Sequence, residues 1–458
     1  MSIFQSLRHY RGIVGETLTP QIVTEIGRHT IGSEAAAQGQ QKVVVARDGR
    51  LSGPLLIQAL ISGLQRAGRT VVDIGMVPTP LLYFATHHLQ TGSGVMLTGS
   101  HNPSNYNGLK IMIGGDTLSG NGIQALKSRI ETGNLLNSPT NQLENLDIRQ
   151  IYLQRVLQDV KPARSFKIVA DCGNGVGGVI APELLRALGC EVIPLFCEVD
   201  GNFPNHHPDP SKPANLQTLI ETVQAQHADF GLAFDGDADR LGVVDARGKI
   251  VWADRQMILY ATDILQRHPG AEIIFDVKCS RHLAQAIETK GGKATMWCTG
   301  HSLIKAKLKA TGALLAGEMS GHIFFKERWY GFDDALYTAA RLLEILAKDP
   351  RPPTEVFSSL PDAVNTPELN LNVANDGEHF TLMQKILQTF QFDTSTKIST
   401  IDGLRVDFER GWGLVRPSNT TPCLVIRFEA EDQAELERIQ TLFRQQFLAI
   451  DSTLNLPF

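Results

Sequence analysis

The chain has 458 residues, enough for three or so compact units at roughly 150 residues each, and its 42% hydrophobic and 20% charged residues exclude a disordered or fibrous chain. A formal charge of -5, from 43 basic against 48 acidic residues, excludes nucleic acid as a general partner, so any anionic ligand must be met by local groups. Six scattered cysteines without a C-x-x-C pair exclude a zinc knuckle and a disulfide framework, and fit reduced thiols in the cytosol.

The opening segment, Met1 to Arg11, lacks the apolar core of a signal peptide, and no later run approaches the ~18 apolar residues of a membrane span. The expected location is cytoplasmic, with no membrane partner. From Val43 to Asp48 a β-branched run ends in Asp; a loop, an amphipathic helix closed by Gly68 and a second strand, Thr70 to Ile74, follow. The plan returns as Lys167 to Asp171, Ile180 to Gly189 and Glu191 to Leu195, and again as Glu272 to Asp276, Leu283 to Gly291 and Lys293 to Trp297. Short apolar runs alternating with helices capped by Gly predict βαβ units on buried sheets, hence three related α/β domains.

Each repeat carries a loop with chemistry. In the first, the run Gly94 to Leu97 leads into Thr98-Gly99-Ser100-His101-Asn102-Pro103 and then Asn105 to Lys110. A serine after glycine at a strand end is close to backbone amides and exposed, which suits a nucleophile or phosphate carrier, although the segment alone also reads as an ordinary turn. In the second, Asp235, Asp237 and Asp239 alternate in Phe234-Asp235-Gly236-Asp237-Ala238-Asp239-Arg240. Three hard carboxylate ligands in a cleft call for a cation, with magnesium the expected one; the rival is a solvated acidic turn. An EF-hand is excluded because the required Glu at loop position 12 would be Ala246. In the third, Gly317-Glu318-Met319-Ser320-Gly321-His322 offers a carboxylate and a hydroxyl for sugar hydroxyls, a weak signal by itself.

Lys278 and the loop Thr299-Gly300-His301-Ser302 also stand at strand ends, while His206-His207 in a Pro-rich stretch reads as a surface loop rather than a metal site. Three prolines in Asp349-Pro350-Arg351-Pro352-Pro353 read as a linker to a smaller C-terminal α+β domain. That domain ends in the strand Leu424 to Phe428 and a helix from about Gln433 to Leu448. Its loop Arg416-Pro417-Ser418-Asn419-Thr420-Thr421-Pro422 has the shape of a phosphate clamp, with a Ser/Thr turn as the rival reading. The expected domains are 1–146, 147–250, 251–362 and 363–458.

Taken in order, T-G-S-H-N-P, D-G-D-A-D-R, G-E-M-S-G-H and R-P-S-N-T-T resemble the α-D-phosphohexomutase superfamily, most closely the bacterial phosphomannomutase/phosphoglucomutase family. The resemblance implies three related α/β domains with mixed sheets plus a smaller C-terminal α+β domain around a central cleft. It implies reversible transfer of phosphoryl between C1 and C6 of glucose and mannose phosphates, through a phosphoserine and a 1,6-bisphosphate intermediate. Ser100 resembles the phosphoserine, and Asp235, Asp237 and Asp239 the ligands of one Mg2+, completed by the phosphate on Ser100. Arg11, His101, Lys110 and Arg240 match positions near the phosphoryl in transit, with His101 and Lys110 both open as the general base. Lys278, His301, Glu318, Ser320 and His322 match sugar contacts, and Arg416, Ser418, Asn419 and Thr421 match the distal phosphate clamp. Glucose 1,6-bisphosphate or mannose 1,6-bisphosphate would serve as activator, hexose 1- and 6-phosphates as substrates, and the chain is expected to be a monomer.

Two residues depart from the family pattern. Arg8 stands where tyrosine is usual, and Ala238 replaces a glycine, so that either its φ is negative or the loop is strained. Rival functions are a phosphoglucosamine mutase, which more often has Gln where Met319 stands, a magnesium-dependent sugar-phosphate phosphatase, and a non-catalytic sugar-phosphate binder.

Overall fold

The computed structural model describes residues 11–118, 139–375, 377–418 and 421–458, in which four sheets form. The three repeats are present as expected. Lys42–Arg47, the helix Gly53–Arg66 and Thr70–Met76 make the first. Lys167–Asp171, Ala181–Ala187 and Glu191–Leu195 make the second, and Glu272–Asp276, Arg281–Thr289 and Lys293–Trp297 the third. The two strands of every repeat are parallel neighbours, because the helix between them carries the chain back across one face.

On its other side, each first strand pairs in parallel with a third strand: Gly94–Leu97, Phe230–Phe234 and Leu315–Gly317. The chain then turns back into an antiparallel neighbour: Tyr106–Ile113, Leu241–Asp245 and Ile323–Phe325. The sheets are therefore mixed, and all three chemistry-bearing loops occupy one topological position, the hairpin where parallel pairing becomes antiparallel. The fourth domain repeats the device differently. There Gly411–Pro417 and Cys423–Ala430 form an antiparallel hairpin in a 6-stranded sheet, covered by the helices Glu378–Thr389 and Gln433–Ile450.

The first three domains share one hydrophobic cluster, running from Val44 and Ala46 through Phe84, Tyr152, Phe230 and Tyr260 to Phe325 and Phe357. The fourth has its own, built on Ile386, Val406, Ile426, Phe443 and Phe447. The Pro-rich segment Asp349–Pro353 is not the linker that the sequence suggested. It joins the helix Ala335–Lys348 to the helix Pro353–Ser358, where proline is tolerated at the first position, and Val356 and Phe357 sink into the shared core. Among the described residues no helix is long and apolar enough to cross a membrane.

Candidate active site

Asp48, at the end of the first strand, begins the site. Its Oδ2 accepts the Gly99 amide at 3.1 Å and Arg50 Nε at 3.2 Å. The buried Arg50 guanidinium then donates to the carbonyls of Ser100 at 2.9 Å, Asn102 at 2.6 Å, Pro103 at 2.5 Å and Tyr106 at 2.9 Å. One cation thus gathers four carbonyls and fixes the loop. A Cβ at Gly99 would fall 2.3 Å from the guanidinium carbon, so this approach admits only hydrogen. Ser100 is not exposed as the sequence suggested but 1% exposed, enclosed where the first loop meets the acidic loop. It is held at φ 50°, a left-handed conformation that costs a non-glycine residue about 1 kcal/mol and recurs at functional loops.

Ser100 Oγ lies 3.1 Å from His101 Nδ1 and 3.2 Å from Asp235 Oδ2. The two loops also touch through backbone, since a Cβ at Gly236 would meet the Ser100 carbonyl oxygen at 2.4 Å. Asp235 Oδ1 accepts the amides of Asp239 at 3.0 Å and Arg240 at 3.1 Å, which curls the acidic loop around it. Asp237 Oδ2 accepts Thr79 Oγ1 at 2.5 Å and Lys110 Nζ at 2.6 Å, and Lys110 also reaches Asp239 Oδ2. Arg11 donates to Asn102 at 3.1 Å and feels the charges of Asp237, Asp239 and Arg240.

The acidic loop fits a metal ion. Its three carboxylates are buried and offer ligand atoms within 4.8 Å of one another. Lys110 engages the Oδ2 atoms, while the Oδ1 atoms of Asp237 and Asp239 are buried without a hydrogen-bond partner. Burial, then the charges of Asp239 and Asp237, pushes the Asp235 carboxyl well above the usual range, the sign of anions crowded beyond what Lys110 and Arg240 neutralise. For Asp237 burial acts in the same direction, but the Lys110 ammonium outweighs it and holds the group low. Burial, reinforced by Arg240 and Arg11, keeps the His101 imidazole neutral at ordinary pH. Ala238 adopts φ 57°, so of the two alternatives posed by its replacing glycine, the strained one is realised.

The third loop closes on the second. Arg240 Nε donates to His322 Nε2 at 2.9 Å, and the Leu241 amide donates to the Gly321 carbonyl at 3.2 Å. With Nε2 accepting, the His322 proton sits on Nδ1, which faces Asp333 Oδ2 at 3.1 Å. His301 stacks on His322, centroids 5.5 Å apart, and also faces Asp333, whose other oxygen takes Lys305 at 3.0 Å. Buried Glu318 accepts the Gly300 amide, and half-buried Ser320 lies beside it in the loop. Lys278 is buried and paired with Glu368 of the fourth domain at 2.6 Å. In the fourth loop Arg416 Nε meets Asp402 at 2.8 Å, and Asp402 also takes the Thr299 amide at 2.9 Å, joining this loop to the third domain. Ser418 Oγ and Thr421 Oγ1 lie 2.9 Å apart, whereas Asn419 falls outside the described residues, as does Arg8.

The structure thus brings Ser100, His101, Lys110, Arg11, Arg240, His322 and the Asp triad into one cluster. Lys278, His301, Glu318 and Ser320 lie on the adjoining wall, and the Arg416 loop beyond. His206 and His207 lie half-buried in a loop whose Asn202, Pro204 and Asn205 are exposed, and neither belongs to a candidate metal group among the described residues. The sequence did not foresee their inward contacts: His206 Nε2 binds Asp171 at 2.9 Å, and His207 Nε2 donates to the His101 carbonyl. Sequence reasoning also missed Arg50, Thr79, Asp333, Lys305, Glu368 and Asp402. One signal was present in the repeat itself. The Asp ending each first strand, Asp48, Asp171 or Asp276, binds the amide of Gly99, Gly173 or Met319, two of which belong to the chemical loops.

Four consecutive segments match the domains described as phosphoglucomutase/phosphomannomutase, alpha/beta/alpha domains I, II and III and C-terminal domain, at residues 8–136, 150–248, 252–364 and 368–446. The chain is 56% identical over 457 residues to a phosphomannomutase/phosphoglucomutase of Pseudomonas aeruginosa, covering 100% of this chain and 98% of that protein. It is 53% identical over 435 residues to a phosphoglucomutase of Neisseria gonorrhoeae, covering 95% and 94%. The crystal structure of a phosphoglucomutase/phosphomannomutase family protein from Burkholderia thailandensis superposes with a TM-score of 0.92 at 51% identity, covering 98% of this chain and 97% of that one. With its loops, repeats and all four domains in agreement from end to end, the chain belongs to the phosphoglucomutase/phosphomannomutase family of the α-D-phosphohexomutases.

Proposed function

We propose that the protein is an isomerase that interconverts the 1- and 6-phosphates of glucose and of mannose, with Ser100 carrying the phosphoryl group. The observation that carries this reading is the meeting of Ser100 Oγ with Asp235 Oδ2 at 3.2 Å from positions 135 residues apart, a nucleophile set against a cation-hungry triad. Asp235, Asp237 and Asp239, with an oxygen of phosphorylated Ser100, hold one Mg2+ in this proposal. The bound ion would supply neutralisation of the charge that spreads over the phosphoryl oxygens in transfer.

The remaining work falls to side chains. Arg11 and Arg240 flank the Ser100 loop and offer guanidinium forks to the moving phosphoryl. His101, neutral and 3.1 Å from Ser100 Oγ, is placed to take the proton of the attacking sugar hydroxyl; Lys110, held between two carboxylates, orients them. Glu318 and Ser320, with His301, His322 and Lys278, grip the sugar. Arg416, Ser418, Asn419 and Thr421 hold the phosphate that is not reacting. The cycle moves phosphoryl from Ser100 to one hydroxyl of the hexose monophosphate, giving the 1,6-bisphosphate. That intermediate turns over in the cleft and returns its other phosphate to Ser100.

Glucose 1-phosphate with a trace of glucose 1,6-bisphosphate tests the proposal: it predicts glucose 6-phosphate. Release of inorganic phosphate would make the protein a phosphatase, and no reaction would make it a binder. Turnover should stop in excess chelator and return with magnesium. Mannose 1-phosphate should react within about a hundredfold of glucose 1-phosphate, since a dedicated buried hydrogen bond at C2 would separate them by far more.

A further inference from the structure

We propose that Cys172 and Cys197 form a redox-active pair whose disulfide, made by a peroxide and undone by a dithiol, switches turnover off; the switch presupposes the mutase reading, the disulfide does not. Parallel pairing of Lys167–Asp171 with Glu191–Leu195 in the register Asp171↔Leu195 carries the two chain ends out side by side. Just beyond them the sulfurs are 3.5 Å apart, the one sulfur–sulfur contact among the described residues. Cys172 is fully buried, and Cys197 is partly open to solvent. A small oxidant therefore reaches Cys197 first.

The chemistry balances. The Cys197 thiolate attacks the O–O bond of hydrogen peroxide, giving a sulfenic acid and, after protonation, one water. The Cys172 sulfur then attacks the sulfenic sulfur, forms the S–S bond and releases a second water, so two thiols and one peroxide give one disulfide and two waters. Contact with the Cys172 thiol lowers the Cys197 thiol below its ordinary value, which favours the attacking thiolate there. Cys172, raised by the same contact and by burial, is suited to be the resolving partner.

Closing the bond shortens the gap from 3.5 Å to about 2.05 Å, and the backbone around it has two routes into the site. The Cys172 carbonyl takes the Gly175 amide at 2.7 Å, and the next residue, Val176, donates its amide to the Gly236 carbonyl in the acidic loop at 3.1 Å. On the other side Asp171, next to Cys172, holds His206, whose neighbour His207 donates to the carbonyl of His101 beside Ser100. Both loops that must meet for transfer are thus linked to the Cys172 segment through two hydrogen bonds each.

The test starts from fully reduced wild-type protein, treated with hydrogen peroxide and then with dithiothreitol. Non-reducing peptide mapping should join the peptides of Cys172 and Cys197. Turnover should fall by at least about tenfold, as loop displacements of an ångström or so can cost, and dithiothreitol should restore it. Amide exchange in residues 235–240 should rise with the disulfide, a readout independent of any mutase activity. Cys197→Ser and Cys172→Ala should each keep turnover under the same treatment. The proposal is overturned if peroxide modifies the more exposed Cys298 while Cys172 and Cys197 stay free. It is equally overturned if the bridged protein keeps its turnover and its exchange pattern, or if Cys197→Ser is inactivated like the wild type. If the reduced protein shows no mutase activity at all, the function falls, and mapping with exchange still decides the disulfide and its reach into the acidic loop.

Discussion

The first three domains and the fourth are joined in different ways. Domains one to three are fused through a single apolar cluster, so their loops are held in place by burial that no local motion can undo cheaply. The fourth keeps its own core and meets the third through polar contacts: Lys278 with Glu368, Ser280 with Glu429 at 2.8 Å, and Arg405 with the carbonyls of Val277 and Cys279. A small apolar contact, Val277 with Trp412 and Leu414, is the exception. The difference teaches where precision is needed. On the proposed mechanism the groups around the reacting phosphoryl would sit in the fused region, and the loop proposed to hold the distant phosphate on the domain joined mainly by polar contacts.

The largest expected effect tests the fused region. On the proposed mechanism Ser100→Ala removes the covalent carrier and should lower turnover by at least about a thousandfold, while binding of glucose 1-phosphate through the loop proposed to hold the distant phosphate should change little. Single-turnover assays with equilibrium binding would show this split; a variant near the wild-type rate would remove Ser100 from the chemistry.

Arg416→Ala probes the other region. Loss of a charge-assisted fork worth ~2–4 kcal/mol should lower kcat/KM by about thirtyfold to several hundredfold, with kcat and KM both affected. Dependence on added bisphosphate should also rise as the intermediate escapes. An unchanged kcat/KM and activator requirement across a titration would make this loop a solvated turn.

A pH measurement sharpens the contrast further. Burial, then the nearby Lys305 ammonium, lowers the His301 imidazole from 6.5 to about 3. Its folded value lies below its unfolded one, so the unfolded chain takes up a proton that the native state refuses. The stability it contributes is present above about pH 6.5 and is lost as pH falls toward 3. His301→Gln should flatten the acid side of the stability profile by at most about one proton, or ~1.4 kcal/mol per pH unit, in the fused region's unfolding transition. Denaturation midpoints from pH 7 to pH 4 that fall in parallel for both proteins would contradict it.

The smallest effect is expected at Ala238→Gly. Relief of the left-handed φ is worth about 1 kcal/mol, and loss of a fully buried methyl costs about 0.8, so stability should stay within about 0.5 kcal/mol of the wild type. A loss beyond ~2 kcal/mol in chemical denaturation would mean that the methyl packs more tightly than its neighbours indicate.

All four loops could be singled out in the sequence because each is a contiguous run that a strand end presents, but only their order along the chain, through the family resemblance, pointed to roles for them. The repeats were legible because strand, helix and capping glycine recur within short windows. What supports the loops was not. Arg50 meets the carbonyl of Pro103 across 53 positions, Thr79 meets Asp237 across 158, and His207 reaches the His101 carbonyl across 106. Such pairs share no local pattern, and an isolated Arg or Thr looks like any other. The proline cluster misled because a break in helix was taken for a break in core, and Phe357 shows the core continuing past it.

The carboxylate that closes each first strand has a use outside this molecule. Asp48, Asp171 and Asp276 align with one another by position in the repeat, and each accepts a backbone amide: Asp48 and Asp276 from a later hairpin, Asp171 from Gly173 two residues on. The proposed tasks differ between loops, carrying in one domain and gripping in another, whereas in two of the three domains the same Asp fastens the hairpin. In an uncharacterised protein built from α/β repeats, a strand-terminal Asp that captures an amide of a later hairpin would mark where ligands are handled, before anything is known of what the hairpin does.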